Sequence, residues 1–270
     1  MIGSNDSLNE RPIGIFDSGI GGLTVFKEIR MVLPHEHLIY LGDTARVPYG
    51  TKSPEVIRKY SEINMRFLLA RGVKVVVVAC NTASAAAIDH LKEQFSDIAV
   101  LGVITPVVSS LATLDRVRKI GIIGTATTIR SGAYQRCIRE TMTVEVLAQP
   151  CPLFVPLVEE GLLDHPLTRQ AIAHYLGDLK KAEIDTLILG CTHYPLLAGP
   201  LDDYFEHRVR IMDSAYHVAR ELKRMLTAAG SANSSEKTGS EQFFVTDSVE
   251  SFRRTGELFL ERPLTDIEHV

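Results

Sequence analysis

The 270-residue chain reads as an α/β protein built on parallel sheets, and three observations carry that reading. Short apolar runs alternate with amphipathic stretches along the chain, with short polar connections, as βαβ units require. One run, Val75-Val76-Val77-Val78-Ala79-Cys80, is apolar on both faces, as in a central parallel strand covered by helices. The chain also repeats itself. Ile13-Gly14-Ile15-Phe16-Asp17-Ser18-Gly19 resembles Ile120-Gly121-Ile122-Ile123-Gly124-Thr125-Ala126, and each is followed at nearly the same separation by a strand ending in cysteine. The first such strand ends at Cys80; the second, Thr186-Leu187-Ile188-Leu189-Gly190, ends at Cys191. Two similar domains follow from the repeat. Ligands of open α/β sheets bind at the carboxyl ends of strands, so facing domains would set the two cysteines across one cleft.

In order, residues 13–17 form a short apolar strand that ends in Ser18-Gly19-Ile20-Gly21-Gly22, and an amphipathic helix runs from Leu23 to Leu33. His37 to Leu41 is a second strand, and Gly42 to Gly50 a loop. Ser53-Pro54-Glu55 opens a long helix, with Ser as N-cap, Pro at the first helical position and an acid in the first turn. Ile57, Tyr60, Ile63, Phe67 and Leu68 keep its helical period, and Gly72 stops it. After the valine strand come a helix over 83–95, a strand over 99–104, a strand over 119–124, a helix over 131–142 and a strand over 144–148. A helix over 167–182 precedes the second cysteine strand, and a short strand over 209–212 precedes a helix from Ser214, its cap, to Leu226. The small, polar segment 228–241 reads as a mobile surface loop. A last strand (243–247) and helix (249–260) follow.

Composition narrows the function. The formal charge is −4 with both signs mixed, and no Lys/Arg cluster marks a phosphate-backbone footprint, so nucleic acid is not an expected partner. The N-terminal ten residues are polar, lack a signal-peptide core and read as disordered. No apolar run approaches the roughly 18 residues of a membrane helix, and a cytosolic protein without a membrane partner is expected. The four cysteines, Cys80, Cys137, Cys151 and Cys191, show no CxxC spacing and should be free thiols in a reducing compartment. Cys137 lies in a helical pattern and Cys151 between two prolines, and both read as small core residues.

Cys80 and Cys191 invite more. Each is followed by polar residues able to open a helix, and a thiol at a helix N-terminus has its pKa drawn below about 8.5. Two thiols on opposite sides of one carbon can take a proton from one face and deliver one to the other, which inverts a stereocentre. A group titrating near the working pH serves as base in one form and acid in the other.

FDSGIGGLTV, GDTARVPYG, VVACNTASA and GCTHYPLL together resemble the glutamate racemases of the cofactor-independent aspartate/glutamate racemase superfamily, in family order from Arg11 onward. The resemblance implies two flavodoxin-like domains with the active site in the cleft between them, the first taking back the C-terminal segment. The domains expected are then residues 11–103 with 213–270, and 104–212. It implies interconversion of L- and D-glutamate without cofactor, for peptidoglycan biosynthesis. Cys80 would take the proton from D-glutamate and Cys191 from L-glutamate. Asp17 and Ser18 match the family's DSG pair, with Asp17 assisting the nearby thiol. Tyr49 and Gly50 match the PYG loop, Asn81 and Thr82 the CNT segment, and Thr192 and His193 the CTH segment, with His193 assisting Cys191. Glu159 matches an auxiliary carboxylate, and Thr125 and Thr128 match substrate-binding hydroxyls. Thr127 stands where the family often has glycine. A homodimer is the assembly the resemblance allows.

Other readings of single features are weaker. Gly19, Gly21 and Gly22 lack the third glycine of a dinucleotide fingerprint, where Thr24 stands, and lack the Gly-Lys-Ser/Thr of a P-loop. They fit close backbone approach to a small ligand. His35 and His37 flank Glu36 without a further ligand at zinc spacing, so a solvated turn and no metal is expected. No lysine lies in a motif marking a pyridoxal phosphate anchor. The rivals are an aspartate racemase, a two-domain small-ligand binding protein with both cysteines in the core, and a thiol redox protein. Arg46 is the one cation within the motifs, which favours carboxylate recognition by hydroxyls and backbone N–H groups over ion pairs.

Overall fold

The computed structural model describes residues 6–270. In chain order the elements are α1 (Asp6–Asn9), β1 (Ile13–Asp17), α2 (Leu23–Val32), β2 (Leu38–Gly42), α3 (Pro54–Leu69), β3 (Val75–Val78), α4 (Asn81–Gln94), β4 (Ala99–Gly102) and α5 (Ile104–Leu111). Then follow β5 (Lys119–Gly124), α6 (Ala126–Ser131), α7 (Ala133–Thr141), β6 (Glu145–Pro150), α8 (Phe154–Glu159), α9 (Pro166–Lys181) and β7 (Thr186–Gly190). The chain ends with α10 (Ala198–Tyr204), β8 (Arg210–Asp213), α11 (Ser214–Ala228), β9 (Glu241–Val245), α12 (Val249–Leu260) and β10 (Ile267–His269).

The strands form two sheets with parallel pairing throughout: a six-stranded sheet in the order β10-β9-β2-β1-β3-β4 and a four-stranded sheet in the order β6-β5-β7-β8. The repeat in the sequence is a repeat of topology. β1 sits between β2 and β3 as β5 sits between β6 and β7, and in each sheet a fourth strand follows outside the cysteine strand. The first sheet then gains β9 and β10 from the C-terminal segment.

Register fixes the site. Phe16 pairs with Val78, and the Ala79 N–H donates to Phe16 O, so Asp17-Ser18 and Cys80 leave adjacent strand ends side by side. Gly124 pairs with Gly190, which brings Thr125 and Cys191 together in the second sheet. The valines of β3 are buried on both faces. Val75 and Val77 pack with the cluster holding Leu23, Phe26 and Leu222, and Val76 and Val78 with Ile57, Leu68 and Ala87. Each such side chain contributes about 1.5–3 kcal/mol of burial.

Several local readings change. The stretch 131–142 is broken: α6 ends at Gly132, whose φ of 66° is left-handed, and α7 begins after it. α11 is capped by Asp213, which accepts from Tyr216 N at 3.0 Å; Ser214 is helical, and its Oγ accepts from Asn81 Nδ2 at 3.3 Å. Residues 6–9, read as part of a disordered N-terminus, form a helical turn whose Asn9 O accepts from Lys74 Nζ; the first five residues lie outside the described ones.

The segment 228–241 is pinned, not loose. Asn233 N donates to Glu36 Oε1 at 2.8 Å, Asn233 Nδ2 to His35 O, and Gly239 N to Pro34 O. Glu36 is no solvated turn residue either. It forms a 2.6 Å ion pair with Lys74 in which both side chains are almost fully buried, and Lys74 Nζ also donates to Ser231 O. One buried pair thus gathers three surface segments. Among the described residues no group of His, Cys, Asp and Glu has the arrangement of a metal site, and no helix is long and apolar enough to cross a membrane.

Candidate active site

The carboxyl ends of the two sheets meet at a cavity of about 380 Å³. The first domain lines it with Ser18, Tyr49, Gly50, Cys80, Asn81 and Thr82, and the second with Thr125, Glu159, Cys191, Thr192 and His193. Both cysteines are free thiols, each nearly buried.

Cys80 caps α4. Its Sγ accepts from Ala83 N at 3.5 Å and donates to Ser18 Oγ at 3.6 Å. Burial, then the nearby Asp17 carboxylate, pushes the thiol up to about 12, against the pull of the Ala83 N–H. The helix terminus therefore does not win at this thiol, contrary to the sequence expectation: an N–H contact at 3.5 Å is outweighed by desolvation and a like charge. Asp17 is fully buried, accepts from Gly19 N at 2.9 Å through Oδ2, and leaves Oδ1 without a protein partner. Burial raises its carboxyl above the ordinary range, while the His193 charge and the N–H groups of Gly19 and Gly22 draw it back.

Cys191 is arranged differently. No α-helix begins after it; a 3-10 turn spans Tyr194–Leu197. Its partner is a side chain, His193, whose Nδ1 lies 3.8 Å from Sγ, and whose Nε2 lies 2.8 Å from Glu159 Oε1. Burial opposes charge on His193, but the bonds to Cys191 and Glu159 outweigh it and raise the imidazole to about 10. Phe259 of α12 packs edge-on against the His193 ring at 5.4 Å, so the C-terminal helix braces a residue that follows β7 of the four-stranded sheet.

The glycines of Ser18-Gly19-Ile20-Gly21-Gly22 serve this junction. A Cβ on Gly21 would lie 2.3 Å from Thr192 Oγ1 and 2.4 Å from His193 Nδ1. At Gly21 the close approach is therefore to the Cys-Thr-His segment, while Gly19 lines the cavity. Gly50 is similar, its Cβ position falling 2.6 Å from Thr125 Cβ. Thr24 Oγ1 completes the junction by donating to Thr192 O at 3.1 Å.

The sequence model of the Asp/Glu/hydantoin racemase family matches residues 14–222. The chain belongs to that family. Glutamate racemase of Chlorobaculum parvum is 46% identical over 96% of this chain and 96% of its own length. The crystal structure of glutamate racemase from Francisella tularensis in complex with D-glutamate superposes with a TM-score of 0.91 at 38% identity, over 97% of this chain and 98% of that one. Aspartate racemase of Picrophilus torridus, covering 82% of this chain and 94% of that one, gives a TM-score of 0.57 at 19% identity, a likeness of fold alone. This member of the family is an amino-acid racemase, of a kind that works without cofactor.

Within this racemase, the residues singled out in the sequence fall at different depths. Asp17 and Thr128 do not line the cavity. Asp17 stands behind Ser18 and Cys80. Thr128 forms the inner corner of a hydroxyl triangle with Thr82 and Thr125, with edges of 2.9, 2.9 and 3.1 Å, that joins the two domains. Asn81 lines the cavity, yet its side chain is held by Tyr134 (OH to Oδ1, 2.6 Å) and Ser214. The Tyr49 hydroxyl is turned away, donating to Asp43 Oδ2 at 2.5 Å and accepting from Asn64, so Tyr49 offers the cavity no free phenol. Arg46 pairs with Asp43 at 2.7 Å and also points elsewhere, so among the described residues no Lys or Arg lines the cavity.

Sequence reasoning missed the apolar wall of Pro152, Val155 and Pro156, and missed Asp43, the anchor of the Tyr49 loop. The signal for the wall was the proline-bracketed apolar run at the carboxyl end of β6.

Proposed function

We propose that this racemase interconverts L- and D-glutamate by a two-base proton transfer between Cys80 and Cys191, and that it supplies D-glutamate for peptidoglycan synthesis in the cytoplasm. One observation carries the reading: two thiols, each at the carboxyl end of the equivalent strand of a repeated sheet, line one small cavity. Relatives that share nearly its whole length are glutamate racemases, which supports glutamate as substrate.

In the L-to-D direction the Cys191 thiolate takes the Cα proton and the Cys80 thiol delivers its own proton to the opposite face. The reverse direction exchanges the roles. His193 accepts the proton Cys191 must lose to become a base, and Glu159 holds the imidazolium so formed. Asp17, with its unpartnered Oδ1, is the acceptor on the Cys80 side. The substrate ammonium adds positive charge near the Cys80–Asp17 pair and favours its thiolate. Carboxylates are met by the hydroxyls of Ser18, Thr82, Thr125 and Thr192 and by the N–H groups opening α4. The two methylenes of glutamate suit the Pro152–Pro156 wall.

Circular dichroism of D-glutamate incubated with the protein, without pyridoxal phosphate, tests the reading. The signal is expected to decay to zero. A stable signal, with D-aspartate losing its own in parallel, would assign the site to the shorter substrate.

A further inference from the structure

We propose that a second hollow, between the start of α3 and the helices α6 and α7, is a binding site for a multiply charged anion of the phosphate class, held between the two domains. The hollow has a volume of about 560 Å³ and is lined by Lys52, Ser53 and Arg58 from the first domain and by Thr127, Arg130 and Arg136 from the second. Among the described residues no carboxylate lines it.

What marks the hollow is the convergence of Lys52, Arg58, Arg130 and Arg136 on one space. Several basic residues elsewhere are paired with acids, among them Arg30 with Glu241, Arg46 with Asp43, Lys74 with Glu36 and Arg169 with Asp164. Lys52, Arg58, Arg130 and Arg136 have no acid within ion-pair distance among the described residues. The guanidinium contacts they make are to neutral oxygens: Arg58 Nε to Ala86 O at 3.1 Å, Arg130 Nη2 to Thr127 Oγ1 at 3.3 Å, and Arg136 Nη1 to Ser131 O at 2.5 Å. Each guanidinium carries five donors, so most remain for a ligand. Glu55, in the first turn of α3, feels the Arg58 charge but does not line the hollow. A larger hollow, about 940 Å³, differs in carrying a carboxylate: beside Lys92 and Arg220, its Glu221 accepts from two guanidinium donors of Arg224. Four unpaired cations on a protein of net charge −4 make a local field that gathers small polyanions, and arginine forks match phosphate oxygens.

The position gives such an anion a consequence. Thr51 lines both this hollow and the substrate cavity, and Thr127 Oγ1 bonds Gly50 O at 2.9 Å and Lys52 O at 3.2 Å. An anion held by Arg58 on one side and Arg136 on the other adds a clamp beside this seam. The inference concerns binding and does not depend on the racemase mechanism.

The test is calorimetric titration with inorganic pyrophosphate at fixed ionic strength. It compares the wild-type chain, Arg58→Gln/Arg136→Gln, and a remote control of equal charge, Lys223→Gln/Arg254→Gln, each checked for folding by circular dichroism. Saturable binding to wild type and control is expected, weakened about 10-fold or more in the first double variant, with pyrophosphate raising the Tm of wild type but not of that variant. Absence of saturable binding to the wild type, or equal weakening in both double variants, would overturn the proposal. So would a raised KM for glutamate in Arg58→Gln/Arg136→Gln with no pyrophosphate binding by the wild type, since the hollow would then only guide substrate.

Discussion

The two halves of the cleft share a topology but not a chemistry. Cys80 leaves its strand directly into a helix, touches only a backbone N–H and a serine hydroxyl, and is held up by burial and the charge of Asp17. Cys191 leaves an equivalent strand into a 3-10 turn and is served by an imidazole that is itself tied to Glu159. The repeated fold delivers a thiol to each side; the residues after each strand decide how it exchanges its proton. Under the proposed two-base mechanism the two mirror-image substrates would meet unlike bases, and the difference should be measurable.

The largest effect removes the comparison. Cys80→Ser and Cys191→Ser should each lower racemisation by about 10³-fold or more, because either loss leaves one face without acid or base. A variant with near-normal activity would show that one thiol suffices. Glu159→Gln should act on one side only. We expect about a 10-fold loss of kcat, with the α-deuterium isotope effect rising for L-glutamate, where Cys191 abstracts, and falling for D-glutamate, where it donates. The kcat/KM values must still fall equally in both directions, because enantiomers have equal free energy; an isotope effect that changed alike for both would break the asymmetry. Gly21→Ala drives a methyl into Thr192 and His193. It should cost about 1–3 kcal/mol of stability by overpacking and disturb the Cys191 side, seen as a lowered Tm and kcat.

The pH dependence of stability is a smaller and sharper test. His193 is raised from 6.5 to about 10 in the folded chain, so its contribution is full below about pH 6.5 and is lost as pH rises towards 10. Cys80, raised from 9.0 to about 12, contributes below about pH 9 and loses that contribution above it. Tm should therefore fall on the alkaline side, and between pH 6.5 and 9 Glu159→Gln should show a shallower fall than wild type. Parallel curves would mean that Glu159 does not hold the imidazolium. At the bottom of the scale, Cys137→Ser, at a half-buried position outside the cleft, should leave racemisation unchanged.

The fold class and the two thiols were legible because they are written in local patterns: a double-faced valine strand, a repeated strand-turn phrase, a cysteine after each. What was not legible depends on contacts between distant residues. The glycines after Asp17 read as ligand-facing from their own spacing; Gly19 does line the cavity, but the atoms that need the space at Gly21 belong to Thr192 and His193. Tyr49 read as a substrate contact through the resemblance of its PYG loop; it lines the cavity, but only the structure reveals Asp43 and Asn64 claiming its hydroxyl. The segment 228–241 has the composition of a free loop, and nothing local announces that Glu36 and Lys74, far apart in sequence, hold it down. The thiol pKa was misjudged for the same reason: the helix start is local, whereas the burial and the Asp17 charge that outweigh it come from folding.

The most direct test of a two-base cleft is racemisation of L-glutamate in D2O, followed to low conversion by proton NMR and mass spectrometry. If Cys191 abstracts and Cys80 donates, the D-glutamate formed carries deuterium at Cα while the unreacted L-glutamate keeps its protium. Protium retained in the product, or deuterium appearing in substrate as fast as in product, would mean that a single base serves both faces, and would contradict the division of work between the two domains.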